Sequence, residues 1–273
     1  MAQAGVMFRS EHGRGSVVGA IAAALFAMTI AGGAAAEEIV AVYTAYWAGL
    51  PAAHIRLTLR DGGPGYRDQI EISTEGLPHL FTRFRATATA EGHLTSGRPA
   101  EPLRYLAAYD LRKRRDSRIS IQFVRGIGGV VAERGPDDTS RKPPLAERFR
   151  YDAIDPLSAL ERIRAALRTA RPGGRFSIPV YDGARRFDVV GQMLPKPEAS
   201  EGTLRAELTL RPIAGFKGET SEDGDPDDAP RKVELTVSDD ARMIPLSIRV
   251  PVFFMPLVIQ FVHFCASPEA CPG

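Results

Sequence analysis

Catalytic signatures are missing from this sequence. Its 273 residues contain no G-x-S-x-G, no H-E-x-x-H, no phosphate loop and no G-x-G-x-x-G, and "GFKGET" lacks the phosphate-loop spacing. The usual routes to serine hydrolysis, zinc proteolysis, nucleotide hydrolysis and dinucleotide binding are therefore without support. Histidine is scarce as well. His54, His79, His93 and His263 are scattered with no ligand spacing, so each reads as structural. Neither sign of charge dominates: 35 Lys and Arg stand against 33 Asp and Glu, which points to no polyanionic partner. There are only 2 cysteines, Cys265 and Cys271, and their spacing is not the C-x-x-C of redox catalysts.

The first 36 residues have the three parts of a secretory signal. Arg9 and Arg14 give a positive start, Val17 to Ile30 an apolar run, and Ala34 and Ala36 an A-x-A cleavage site. An uncleaved anchor is the alternative, but the run is shorter than the ~20 residues that span a bilayer. No cysteine follows it, so no lipid-anchored N-terminus is indicated. Residues 37–273 then form a single β-rich domain, located in the periplasm. In such an oxidising compartment Cys265 and Cys271 can clasp the tail, with free thiols as the alternative. Closing so short a loop contributes about 2–2.5 kcal/mol on the chain-entropy estimate.

Most of this domain has a two-residue hydrophobic period. Ile55, Leu57 and Leu59 alternate before a "DGGPG" turn, and Ile70 and Ile72 resume after it. Asp182-Gly183 marks another hairpin, and Leu204, Ala206, Leu208 and Leu210 alternate beyond it. One segment has the helical period. Asp155 is placed as N-cap, Pro156 at the first turn, and Leu157, Leu160, Ile163 and Leu167 form one stripe before a Pro-Gly-Gly stop. Glu161, Arg162, Arg164 and Arg168 lie on the opposite face, so burial of a single stripe is expected. Roughly ten strands and one strong helix give the expected fold: mainly β, a strongly curved antiparallel sheet, half or nearly closed into a barrel, wrapped over that helix.

The stretch "VPVFFMPLVIQFVHFC", residues 250–265, is apolar at both parities. As a helix it is too short to span a membrane, Pro251 and Pro256 oppose that helix, and its Val, Ile and Phe content suits a strand. A strand apolar on both faces is expected to be covered on both, either by the helix and a neighbouring layer or by an apolar ligand cavity.

In order, "VYTAYWAGLPAAHIRLTL", "STEGL", "DLRKRRDSRISIQF", "DPLSALERIR", "VYDGARRFDV" and "LTVSDDARMIPLSIRV" resemble the exported bacterial family called domain of unknown function 3108, over residues 40–252. That resemblance implies a periplasmic protein with no established activity. The implied shape is similar to the lipoprotein-localisation carriers, in which a curved sheet around a helix shelters acyl chains. The acidic loop 219–228 and the paired C-terminal cysteines depart from the family pattern.

These observations lead to a non-enzymatic periplasmic protein that binds a lipid, another apolar ligand or an envelope partner. The alternative is a packed scaffold for envelope maintenance with no ligand; an envelope hydrolase is a weaker third reading. Candidate ligand residues are Trp47, Phe253, Met255, Leu257, Ile259 and Phe261. Arg112, Lys113, Arg114 and Arg115 in the turn "LRKRRDSR" either meet an anionic headgroup or form a solvated tip. Trp47 is either a core anchor or a residue at the barrel mouth. Asp223, Asp225 and Asp227, with Glu234 in twelfth place, imitate a calcium loop, but Asp228 stands where the tight turn needs glycine; a solvated acidic loop is expected. No cofactor and no nucleic-acid partner is implied.

Overall fold

The computed structural model describes residues 37–62, 64–76, 79, 83–95, 97–111, 114–126, 129–140, 143–195, 201–216, 229–252, 255–265 and 270–271. The proposed signal, the acidic loop 219–228, Phe253, Arg112 and Lys113 lie outside these residues, as do the side chains of Arg114 and Arg115. Among the described residues no helix is long and apolar enough to cross a membrane.

Thirteen strands form one sheet. They are β1 (Glu37–Trp47), β2 (Leu50–Gly62), β3 (Gly65–Thr74), β4 (Arg85–His93), β5 (Glu101–Leu111), β6 (Arg114–Arg125) and β7 (Val130–Arg134), then β8 (Arg175–Tyr181), β9 (Arg186–Met193), β10 (Thr203–Ala214), β11 (Arg231–Ser238), β12 (Pro245–Val252) and β13 (Met255–Cys265). Between β7 and β8 lie a single helical turn, α1 (Glu147–Arg150), and the long helix α2 (Pro156–Thr169). Every strand pair is antiparallel, and each strand neighbours the next in sequence except β7 and β8, which stand at opposite ends of the order. The two runs β1–β7 and β8–β13 are joined by the pairing of β1 with β13, Val40 opposite Cys265 and Trp47 opposite Leu257.

The free edges would be β7 and β8, and an exposed edge invites pairing with other chains. Here the segment between α1 and α2 bridges them. Tyr151 pairs with Val131 on β7, and Ile154 pairs with Val180 on β8. Asp152 donates its N–H to the Val130 carbonyl at 2.7 Å, while Ile154 donates to Pro179 at 2.9 Å. A proline on β8 fits an edge strand, since its nitrogen has no proton to give. The result is a nearly closed barrel whose seam is filled by irregular chain.

Along β1 and β2 alternation puts one parity inside. Ile55, Leu57 and Leu59 of β2 and Ile39, Ala41, Tyr43 and Ala45 of β1 are buried in the interior. On the outer face of β1, Val40 and Val42 are also buried, because the tail returns over them: Cys265 and Cys271 form a disulfide with Cα atoms 5.5 Å apart, and Cys271 packs on both valines. The expected clasp thus covers an apolar outer patch.

Helix α2 starts where the sequence places it. The Asp155 carboxylate accepts from the N–H groups of Leu157 at 3.0 Å and Ser158 at 2.8 Å. Leu157, Ile163 and Leu167 are buried as expected. The expectation that only one stripe is buried needs correction: Glu161 and Arg164 are equally enclosed, because the barrel surrounds the helix rather than resting on one side of it. Their opposite charges let them enter together, since Arg164 donates a hydrogen bond to Glu161 one turn away.

The expected cover on both faces of β13 is also corrected. Leu257, Ile259 and Phe261 face the interior and pack on the core, with the Phe261 and Tyr43 rings edge to face at 5.8 Å. Val262 and Met255 remain exposed. Apolar side chains on an outer surface are ordinary in folded proteins, so composition alone did not fix what lies over this strand. The backbone of α2 runs close to β3, β4 and β8 rather than to β13.

Candidate functional site

The half of the barrel built from β8–β12 does not close tightly on the helix. Pro156, Ala159, Leu160 and Ile163 of α2 face Val180, Phe187, Val189, Leu208, Leu235, Pro245 and Ile248 across a chamber of about 210 Å³. Among the described residues its walls contain no charged side chain. Phe187, Val189, Leu208 and Leu235 lie on the inward rows of β9, β10 and β11, where Gly191 makes room for the Phe176 ring, which a Cβ there would overlap.

Phe187 is also in the wall of a second space of about 230 Å³, nearer the end of the barrel. There the inward row continues as Leu210 and Pro212 and ends in Arg231, joined by Asp182, Arg185 and Phe216. Arg185 is held by Asp182 at 3.3 Å and lies over the Phe216 ring at 5.6 Å. The β8–β9 turn that carries Asp182 is set by Gly183, whose φ of +93° and close approach to Ile119 on β6 leave no room for a Cβ. The apolar chamber thus adjoins, at Phe187, a space bearing two guanidinium groups and one carboxylate. A third space, about 310 Å³, follows the seam and is lined by Arg98, Glu101, Arg125, Asp152 and Arg162 among others.

The other side of α2 is polar and largely buried. The Tyr66 and Ser158 hydroxyls lie 2.6 Å apart, and Ser158 donates to Asp155. Burial pushes the Asp155 carboxyl up to about 6, against the hydrogen bonds it accepts from Ser158 and Leu157. Next along the helix, Arg164 donates to Glu161 and to the Arg242 carbonyl at 2.8 Å, and lies 3.7 Å from Asp61. Burial raises the Glu161 carboxyl above its usual range, opposed by the adjacent Arg164. Asp68 on β3 is 0% exposed, and among the described residues no donor stands at hydrogen-bond geometry to its oxygens, although the Arg60 backbone N–H faces them. Burial, and after it the charges of Glu161 and Asp61, push it up to about 8. Among the described residues, Asp61, Asp68 and Glu161 are the group able to hold a metal ion, with ligand oxygens within 4.8 Å of one another.

The candidate residues from the sequence fall elsewhere. Trp47 is 42% exposed at the β1–β2 turn, and Met255, 44% exposed, opens β13 at the same end of the barrel. Leu257, Ile259 and Phe261 line the packed interior and not the chamber. The pairing of Leu111 with Arg114 puts the start of β6 at this end too. Glu234, the twelfth position of the calcium-like spacing, is an exposed residue within β11. Sequence reasoning missed Phe187, Arg185 and Arg231 around the second space, and Asp68 inside. Asp68 had a legible signal, since it shares the parity of Tyr66, Ile70 and Ile72 on a face that is otherwise apolar.

Fold and interior together define a nearly closed antiparallel β-barrel plugged by one helix, with a partly hollow core. The chain belongs to the family described as protein of unknown function (DUF3108), which matches residues 42–261. No curated protein matches it. Among solved structures, the beta-barrel-like protein of domain of unknown function DUF1849 from Brucella abortus is similar at a TM-score of 0.52 and 10% identity, covering 83% of this chain and 96% of that one. At that identity the likeness concerns the fold.

Proposed function

We propose that this protein is a non-enzymatic periplasmic binder of an amphiphile, a single apolar chain carrying an anionic head. The observation that carries the reading is the pair of adjoining spaces that share Phe187, one apolar and the other bearing arginines. The chain enters between α2 and β8–β12, and each methylene it buries contributes about 0.8 kcal/mol. The head meets Arg185 and Arg231, a role the sequence reading gave to Arg112, Lys113, Arg114 and Arg115. The chamber alone is smaller than the about 300–1,000 Å³ of most ligand pockets, whereas the two spaces together fall within that range. An exported site of action is supported by the signal-like N-terminus and by the Cys265–Cys271 disulfide, a bond that persists in oxidising compartments.

Mass spectrometry of lipids extracted from protein purified without detergent tests this directly. A stoichiometric amphiphile is expected, lost when Ala159→Leu fills the chamber and weakened by Arg231→Glu. Protein that is empty on isolation and takes up no fatty acid or lysolipid would refute it. That result would favour a second reading, a partner-binding envelope protein. In that reading the exposed Trp47, Leu50 (52% exposed) and Met255 at one barrel end form the contact.

A further inference from the structure

We propose that Asp61, Asp68 and Glu161 form a binding site for one divalent cation of the hard, oxygen-seeking class, calcium before magnesium. The β2–β3 hairpin supplies Asp61 and Asp68 and helix α2 supplies Glu161, so the ion ties the plug to the barrel wall. The three ligand oxygens lie within 4.8 Å of one another. Three oxygens within that separation lie no more than about 2.8 Å from a common centre, so a shift of a few tenths of an ångström brings all of them to the 2.3–2.6 Å of calcium; magnesium, at 2.0–2.1 Å, requires them to draw in further. With no histidine or cysteine in the group, softer metals are disfavoured.

Proximity of carboxylates alone would not justify a site. The second observation is that both Asp68 oxygens are wholly buried and, among the described residues, no donor stands at hydrogen-bond geometry to either, the backbone N–H of Arg60 being the one that faces them; Asp61 Oδ1 has no partner there either. Interiors seldom leave such groups unmatched, because an unpaired buried carboxylate is among the costliest arrangements a protein can hold. Charge points the same way. Three carboxylates face one guanidinium, Arg164, which bonds Glu161 and lies 3.7 Å from Asp61. A dication cancels the two charges left over. The Asp61 side chain is 33% exposed, which gives the ion an entry path and room for water ligands.

The test uses protein purified after expression of the full chain, freed of metal with a chelator, and titrated with calcium or magnesium chloride in a calorimeter at pH 8.5. One-site binding is expected, tighter for calcium. The thermal midpoint should rise by about 5–10 °C at a free calcium concentration about 100 times Kd. Asp68→Asn should abolish the heat, and Asp61→Asn, at the solvent edge, should weaken binding in a folded protein. Affinity should fall as pH drops from 8.5 to 6, because a proton on Asp68 competes with the ion while Asp61, Glu161 and Arg164 face it throughout. Absence of heat and of any midpoint shift, with Asp68→Asn stabilising the metal-free protein, would overturn the proposal and make Asp68 a buried neutral acid. Binding that persists undiminished in both variants would also overturn it.

Discussion

Helix α2 meets two different linings inside one barrel. Toward β8–β12 it presents Ala159, Leu160 and Ile163 to an apolar wall and leaves a space. Toward β2 and β3 it presents Ser158, Glu161 and Arg164, which bond Asp155 and Tyr66 or face Asp61 and Asp68. The space on the first side tolerates a change of volume, because a cavity wall can shift into it. The second side does not, because each buried charge depends on its neighbours for the interactions that water would otherwise supply. Position on the helix is thus fixed by the polar side, and room for a ligand is left on the apolar one.

The largest expected effect comes from removing the guanidinium. Arg164→Met leaves Glu161 and Asp61 facing Asp68 without a counter-charge and should cost about 3–5 kcal/mol, read as a fall in the urea midpoint. Next is pH. Asp155 and Asp68, raised from 3.8 to about 6 and about 8, keep protons in the folded protein that the unfolded chain releases above about pH 4. In metal-free protein stability should therefore be greatest near pH 4–5 and decline as pH rises toward 8, read as a fall in thermal midpoint. Asp68→Asn should remove the part of that decline between pH 6 and 8; an unchanged slope would mean that other groups carry it. The smallest effect belongs to the chamber side, where Ile163→Val should cost about 0.5 kcal/mol, the low end for such a change, because it enlarges a space already present. A cost near 1.5 kcal/mol would mean that the chamber wall is as tightly packed as the rest of the core, and the contrast between the halves would fail.

Much of the fold was legible because the strands obey a strict two-residue period and the helix begins with an Asp-Pro cap. Thirteen strands replace roughly ten, since short strands such as β7 carry too few residues to show the period. Closure through β1 and β13 is a long-range event with no local signal. The polar interior was only half legible. Asp68 breaks the parity of its strand in plain view, but Glu161 and Arg164 look like any solvated helix pair until a barrel is drawn around them. The chamber was illegible, because a hollow core and a solid one use the same leucines and valines. Apolar composition drew attention to residues 250–265, while the space opened beside residues of ordinary alternation.

The pairing of β1 with β13 also has a consequence for the order of events in folding. Until the segment Met255–Cys265 is available, β1 and β12 each present an unpaired edge, and the two linings of the helix cannot be held around it together. Contacts between the first and last strands are the most distant in sequence that this architecture contains, and such contacts slow folding. The disulfide, beside the last rung of that pairing, closes only the tail on itself, and it is the packing of Cys271 on Val40 and Val42 that brings the tail to β1.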